Sequence, residues 1–154
     1  MPILSWEDAL RLAQAAGFPP STVPVIVAIA ACESGLNSEA VHVNVDGSLD
    51  RGILQINSRW HPEVSDACAF DPPCAFPEAY RISNQGTSFT PWVCYNTPTY
   101  REALIFATAV YNSLTGIAQP VPLPPAGAAF LSLPPVFPPA ANAAFLALPP
   151  VLPP

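Results

Sequence analysis

The 154-residue chain contains no lysine. Its five basic residues are all arginine and face eleven acidic ones, for a net charge of −6. Nothing in it could neutralise a run of phosphates, which excludes a basic nucleic-acid binder. The same shortage excludes a polybasic membrane-surface segment. No apolar run reaches ~18 residues without proline or a polar residue, which argues against a transmembrane helix. The chain opens with neither a basic start nor an apolar stretch, so no secretory signal is expected. Work outside a cell would then need another route, such as delivery within a particle. The two histidines, His42 and His61, have no partner at metal-ligand spacing, and no C-x-x-C is present. No metal and no cofactor are implied.

Charge is also missing from one whole region. From Ala103 to Pro154 there is no Asp, Glu, Lys, Arg or His. Twelve of the 22 prolines lie between Pro120 and Pro154. We therefore divide the chain into a globular portion, residues 1–117, and a proline-rich tail, 118–154. The tail is a tandem repeat: AGAAFLSLPPVFPP (126–139) and ANAAFLALPPVLPP (141–154) match at a period of 15. Proline pairs favour an extended, polyproline-like chain. Most such linkers are polar, but this one is apolar, and ordinary disordered segments are low in hydrophobicity. Phe130, Leu131, Phe145 and Leu146 therefore point to a docking strap for a protein partner, with two copies adding avidity.

The globular portion reads as mainly helical. Residues 5–17 suit an amphipathic helix, with Ser5 and Asp8 as a capping box and Gly17 as its stop. A second helix is expected over Val23–Ser34, capped by Ser21 or Thr22, with Pro24 in its first turn and Gly35 at its end. Its sequence is apolar almost all round, so it should be central. Residues 41–57 read as strands and turns. Val41, Val43 and Val45 alternate with polar residues, Asp46-Gly47 is a turn, and Ile53, Leu54 and Ile56 suit a short return strand. A third helix is expected from Asp71 to about Ser83, and a fourth after Thr97, packed beside the second.

Two acids stand out. Glu33 follows the buried helix, and Asp50 lies seventeen residues on, beyond the turn, in the polar stretch SLDRG. Burial raises a carboxyl pKa, whereas a polar setting leaves the group ionised. A pair split in this way can serve as an acid and a base or nucleophile, which glycosidic cleavage requires.

The residues around this pair carry a resemblance. ESGLN (33–37) with DGSLDRGILQINSRW (46–60) resembles the c-type lysozyme pattern, including the Glu-to-Asp spacing. C-type lysozymes are the type case of the split carboxylate pair, so the roles are carried over by position. The resemblance implies Glu33 as general acid and Asp50 as nucleophile or cation stabiliser. It implies Asn44, Gln55 and Asn57 as cleft residues that hydrogen-bond sugar, and Trp60 as a stacking platform. C-type lysozymes have an eight-cysteine framework, whereas this chain has four cysteines, none of them at a c-type position within the aligned stretch. The later segments HPEVSDACAFDP and SFTPWVCY look more like soluble lytic transglycosylases. There the matching motifs are Glu33-Ser34, Gly52 to Ile56, and Trp92 with Tyr95. Trp92 and Tyr95 would either wall the cleft or pack in the core. Cys68 and Cys74 could pair locally; Cys32 and Cys94 could pair or remain thiols.

The expected fold is α+β, mainly α: a lysozyme-like domain with a small β-hairpin, followed by an extended proline-rich tail. The resemblance implies cleavage of the β-1,4 bond between N-acetylmuramic acid and N-acetylglucosamine in bacterial peptidoglycan. It leaves open hydrolysis or transglycosylation with a 1,6-anhydro product. A structural, glycan-binding virion protein is the rival from another class. The expected setting is a phage tail or virion acting at the cell wall, or else an extracellular or periplasmic site.

Overall fold

The second expected helix, α2, spans Val23–Ser34 and organises the rest. Ile26, Val27 and Ile29 are fully buried, as its all-round apolar sequence requires. Thr22 stands at its N-cap but makes no side-chain cap bond, and Pro24 occupies the first turn. Gly35 ends it at φ 67°, a left-handed stop. This computed structural model describes residues 1–117. The tail, and with it the boundary at 118, lies outside the described residues.

Helix α1 covers Trp6–Ala15, and Ser5 Oγ accepts from the Asp8 N–H at 3.1 Å. Leu10, Ala9 and Ala13 turn to the core. After α2 comes a three-stranded antiparallel sheet in the order β1 (Val41–Val43), β2 (Leu49–Arg51), β3 (Ile56–Asn57). A four-residue helix α3, Asp66–Ala69, precedes α4, Pro72–Ile82. The last helix, α5, covers Pro98–Thr115, with Thr97 as its N-cap, and packs along α2 and α1. The described residues are thus mainly helical with one small sheet, the α+β arrangement expected.

Two local readings change. Ile53 and Leu54 do not form the return strand; β2 does, pairing Val41 with Arg51 and Val43 with Leu49. Gly52 (φ 71°) and Gln55 (φ 48°) are left-handed, which breaks the extended run and folds Ile53-Leu54 into a buried turn. The valine alternation marks a strand but no core face. Val41 and Val43 are exposed on the free edge of the sheet, and Val45 lies in the turn beyond. The short α3, capped by Ser65 Oγ at the Cys68 N–H, carries too few residues for a periodic signal.

Both cysteine pairs are disulfides. Cys68–Cys74 joins α3 to α4, with Cα atoms 5.1 Å apart. Cys32–Cys94 joins the end of α2 to the segment before α5, across 6.2 Å. Among the described residues no helix is long and apolar enough to cross a membrane.

Candidate active site

Glu33 sits in the last turn of α2 and opens onto a cleft of about 460 Å³. The sheet forms one wall. Asn44, Asp50, Gln55, Asn57 and Trp60 all line the cleft, as does Trp92 from the segment before α5. Tyr95 does not: it packs against Phe89 (5.7 Å between ring centroids) and Tyr100 (5.1 Å). Of the two aromatic residues read together, one walls the cleft and the other fills space behind it.

The Ile53-Leu54 turn is tied to two neighbours. Ser34 Oγ donates to the Ile53 carbonyl at 2.7 Å, and Trp92 Nε1 donates to the Leu54 carbonyl at 2.9 Å. The buried turn after β2 therefore couples the Glu33 helix to the aromatic wall. The Glu33 carboxylate accepts the Cys94 backbone N–H at 3.0 Å. Its pKa is raised from the ordinary 4.5, chiefly by burial. The Cys94 N–H pulls it down, and the negative charge of Asp50 pushes it up. The carboxyl also sits at a helix C-terminus, where the backbone dipole disfavours a negative charge.

Asp50 is on β2, part-exposed, and its Oδ1 accepts from Asn57 Nδ2 at 2.7 Å. The same amide nitrogen reaches Ser48 Oγ at 3.1 Å. Asn57 Oδ1 accepts the N–H groups of Arg59 (2.9 Å) and Trp60 (3.2 Å). Asn57 thus orients Asp50 and sets the turn that presents Trp60, and its amide is committed to those bonds. Gln55 Nε2 is likewise committed, to the Gly52 and Ala40 carbonyls at 2.8 and 3.1 Å. Asn44 Nδ2 is buried and makes no hydrogen bond to the described residues. Trp60 is 75% exposed, a bare indole face at the cleft rim. Arg59 turns away to an exposed ion pair with Asp46 at 3.0 Å.

Several contributors escaped the sequence reading. Arg51 neighbours Asp50 but alternates to the opposite side of β2, where it is only 3% exposed. Its guanidinium donates to the Ile56 and Val64 carbonyls and to the Asp66 carboxylate, at 3.1, 2.9 and 2.7 Å. It pins β3 and the 61–66 segment to β2. Strand alternation was the available signal: if Asp50 faces the cleft, Arg51 faces inward. His61 also lines the cleft, with Nδ1 3.3 Å from Glu63 Oε1. Glu63 also accepts Arg81 at 2.6 Å; its own backbone N–H and Arg81 hold its carboxyl down at about 2. The Cys94 N–H could not be found from sequence, because any residue carries one. Among the described residues no cluster of His, Cys, Asp and Glu could hold a metal ion.

Residues 10–94, more than half of the chain, match the family model described as a lysozyme-like domain. Among curated proteins, lysozyme C-1 of Anas platyrhynchos is 39% identical over 79 residues, covering 41% of this chain and 52% of that protein. Lysozyme C-3 of the same species is 37% identical over 79 residues, covering 41% and 60%. Lysozyme C of Takifugu rubripes is 38% identical over 55 residues, covering 36% of this chain and 38% of that protein. The chain spans about half the length of the first two. With the helical frame, the small sheet and the matched family model in agreement, this chain belongs to the lysozyme-like domain family.

Proposed function

We propose that this protein cleaves the glycan strands of bacterial peptidoglycan by hydrolysis, at the β-1,4 bond between N-acetylmuramic acid and N-acetylglucosamine. The observation that carries the reading is one cleft holding two carboxyl groups in unlike settings. Glu33 is burial-raised, and Asp50 is part-exposed and bonded to Asn57. The kinship with lysozymes supplies the substrate class.

In this reading the protonated Glu33 gives its proton to the glycosidic oxygen as the bond from the anomeric carbon breaks. Positive charge builds on that carbon and its ring oxygen. Asp50 faces it as an anion, stabilising or capturing the carbon. A water then attacks, giving its proton to Glu33 and its hydroxyl to the sugar, which restores both carboxyl groups. Trp60 stacks on a sugar ring, and Trp92 and Asn44 line the cleft that holds the strand. Gln55 and Asn57 shape the cleft through their bonds to the backbone and to Asp50.

The protonation states fix the pH response. Glu33 must be protonated, so activity is present below its raised pKa and lost as pH rises through it. Removing the charge of Asp50 removes a cause of that raise. Asp50→Asn is therefore expected to move the alkaline limb of the rate profile to lower pH, while slowing turnover. A limb at its original pH would break the electrostatic link, and unchanged turnover would remove Asp50 from the mechanism. Turnover by an enzyme that needs only Glu33, with the sugar 6-hydroxyl as attacking group, would give 1,6-anhydro ends instead.

We further infer that residues 118–154 dock the protein to a larger assembly, such as a phage tail or virion, that carries it to the wall. The uncharged, apolar tandem repeat supports this. Deleting 118–154 is expected to leave catalysis intact and to abolish incorporation into the parent particle; unchanged incorporation would refute it.

A further inference from the structure

The disulfide between Cys32 and Cys94 lies against the acid itself. Cys32 precedes Glu33 in the last turn of α2, and Cys94 is the residue whose N–H the Glu33 carboxylate accepts. A closed ring results: α2 backbone, disulfide, Cys94 N–H, Glu33 carboxylate, and back to α2. The segment that carries Cys94 has no helix or strand of its own; residues 84–97 run as turns and bends from the end of α4 to the start of α5. Its position depends on a few ties. Trp92 Nε1 holds it to Leu54, three residues before β3 ends. Thr97 holds it from the other side. The Thr97 hydroxyl donates to the Cys94 carbonyl at 2.7 Å and accepts the Tyr100 N–H at 3.2 Å, so one oxygen fastens Cys94 to the N-terminus of α5. That oxygen also lies 3.6 and 3.8 Å from the two disulfide sulfurs.

We propose that the Cys32–Cys94 disulfide and Thr97 are a positioning clamp, which holds the Cys94 N–H so that it fixes the orientation of the Glu33 carboxyl group. This rests on the reading of Glu33 as the acid. The N–H engages Oε1, leaving the other oxygen to carry the proton that is transferred. An acid pinned through its backbone neighbours cannot swing away from the glycosidic oxygen, and a misplacement near 1 Å can cost about 10²-fold in rate. None of the three clamp residues meets the substrate; they act through Glu33.

The test uses the full-length protein and soluble peptidoglycan glycan strands, with kcat, KM and the pH profile read separately. Asp50 and His61 are the other titratable groups lining the cleft that Glu33 faces. In Cys32→Ser/Cys94→Ser, kcat at the optimum should fall about tenfold or more. The alkaline limb should move to higher pH, because the hydrogen bond that favours ionised Glu33 is weakened. Cys68→Ser/Cys74→Ser removes the disulfide remote from the acid and should leave the limb in place. Thr97→Val, with the disulfide intact, should act in the same direction as the Cys32/Cys94 change, and Thr97→Ser should restore wild-type kcat. If the double-serine protein does not fold, the Thr97 pair decides: equal kcat in Val and Ser overturns the clamp. A lower melting temperature with kcat and limb unchanged also overturns it, leaving the disulfide a purely structural bond. Full activity in Glu33→Gln would overturn the clamp and the assignment of the acid together. Loss there, with unchanged kcat in the clamp variants, would overturn the clamp alone.

Discussion

Replacing Glu33 by Gln is expected to slow peptidoglycan cleavage by about 10²–10⁴-fold, the usual worth of a positioned general acid. Gln keeps the shape and can still accept the Cys94 N–H, but it has no proton to give. The same substitution should make the protein more stable at neutral pH. Glu33 has a folded-state pKa above the ordinary 4.5. A carboxyl raised in this way contributes stability that is fully present below the unfolded pKa and lost as pH rises through the folded one. Above the unfolded pKa the unfolded wild type ionises at Glu33 more readily than the folded protein does, a cost the variant lacks, so the variant's advantage should grow as pH rises and vanish below about pH 4.5. Denaturant unfolding at several pH values checks the stability half, and turbidity clearing of cell walls checks the catalytic half. Equal clearing by both proteins would remove Glu33 from the chemistry. Lower stability of the variant at neutral pH would show that the Glu33 carboxylate is favourably solvated in its cleft.

Gly52→Ala should be among the most destabilising single changes in the domain. At φ +71°, a Cβ on residue 52 would lie 1.9 Å from the Ala69 carbonyl oxygen and 2.9 Å from its carbon. Both are backbone atoms of buried Ala69 at the end of α3, and no rotamer change can move them aside. The left-handed backbone alone costs a non-glycine residue roughly 1–2 kcal/mol, and overpacking adds about 1–3 kcal/mol. We expect a loss of about 4 kcal/mol, a large share of a small domain's stability. Gly47→Ala is the control: it shares a positive φ of 81°, but its Cβ would meet nothing within 4 Å. It should cost only the backbone share, roughly 1–2 kcal/mol. Urea unfolding of the two variants separates clash from strain, and equal losses would show that the approach of Ala69 is not rigid. Because Gly52 links Asp50 to the turn that ties α2 and Trp92, the Gly52 variant should also lose activity before it unfolds.

The sequence carried much of this arrangement in plain view. The bounds of α2 were legible because proline, an unbroken apolar stretch and Gly35 mark a start, a body and a stop. The start of α5 was legible from Thr97-Pro98 for the same reason. The sheet was less so. Its strands are two or three residues long, and β1 is exposed along its length, so alternation had no buried face to report. The turn at Ile53-Leu54 looked like a strand because its residues are apolar, but they are apolar because the turn is buried, and two left-handed residues bracket it. At the site, side chains with distinctive chemistry were readable and the groups that hold them were not. Glu33 and Asp50 announced themselves by type and setting. The committed amides of Gln55 and Asn57 depend on which backbone carbonyls and side-chain oxygens the fold brings within 3.1 Å of them. The Cys94 N–H depends on a contact across 61 positions of sequence.

In the proposed reading, the Glu33–Asp50 cleft hydrolyses the bond between N-acetylmuramic acid and N-acetylglucosamine. The most direct measurement is the mass of the muropeptides that the wild-type protein releases from purified peptidoglycan. Hydrolysis predicts fragments ending in a reducible N-acetylmuramic acid, with the full mass of one added water. Fragments lighter by one water, ending in 1,6-anhydro sugar, or no released fragments at all, would contradict it.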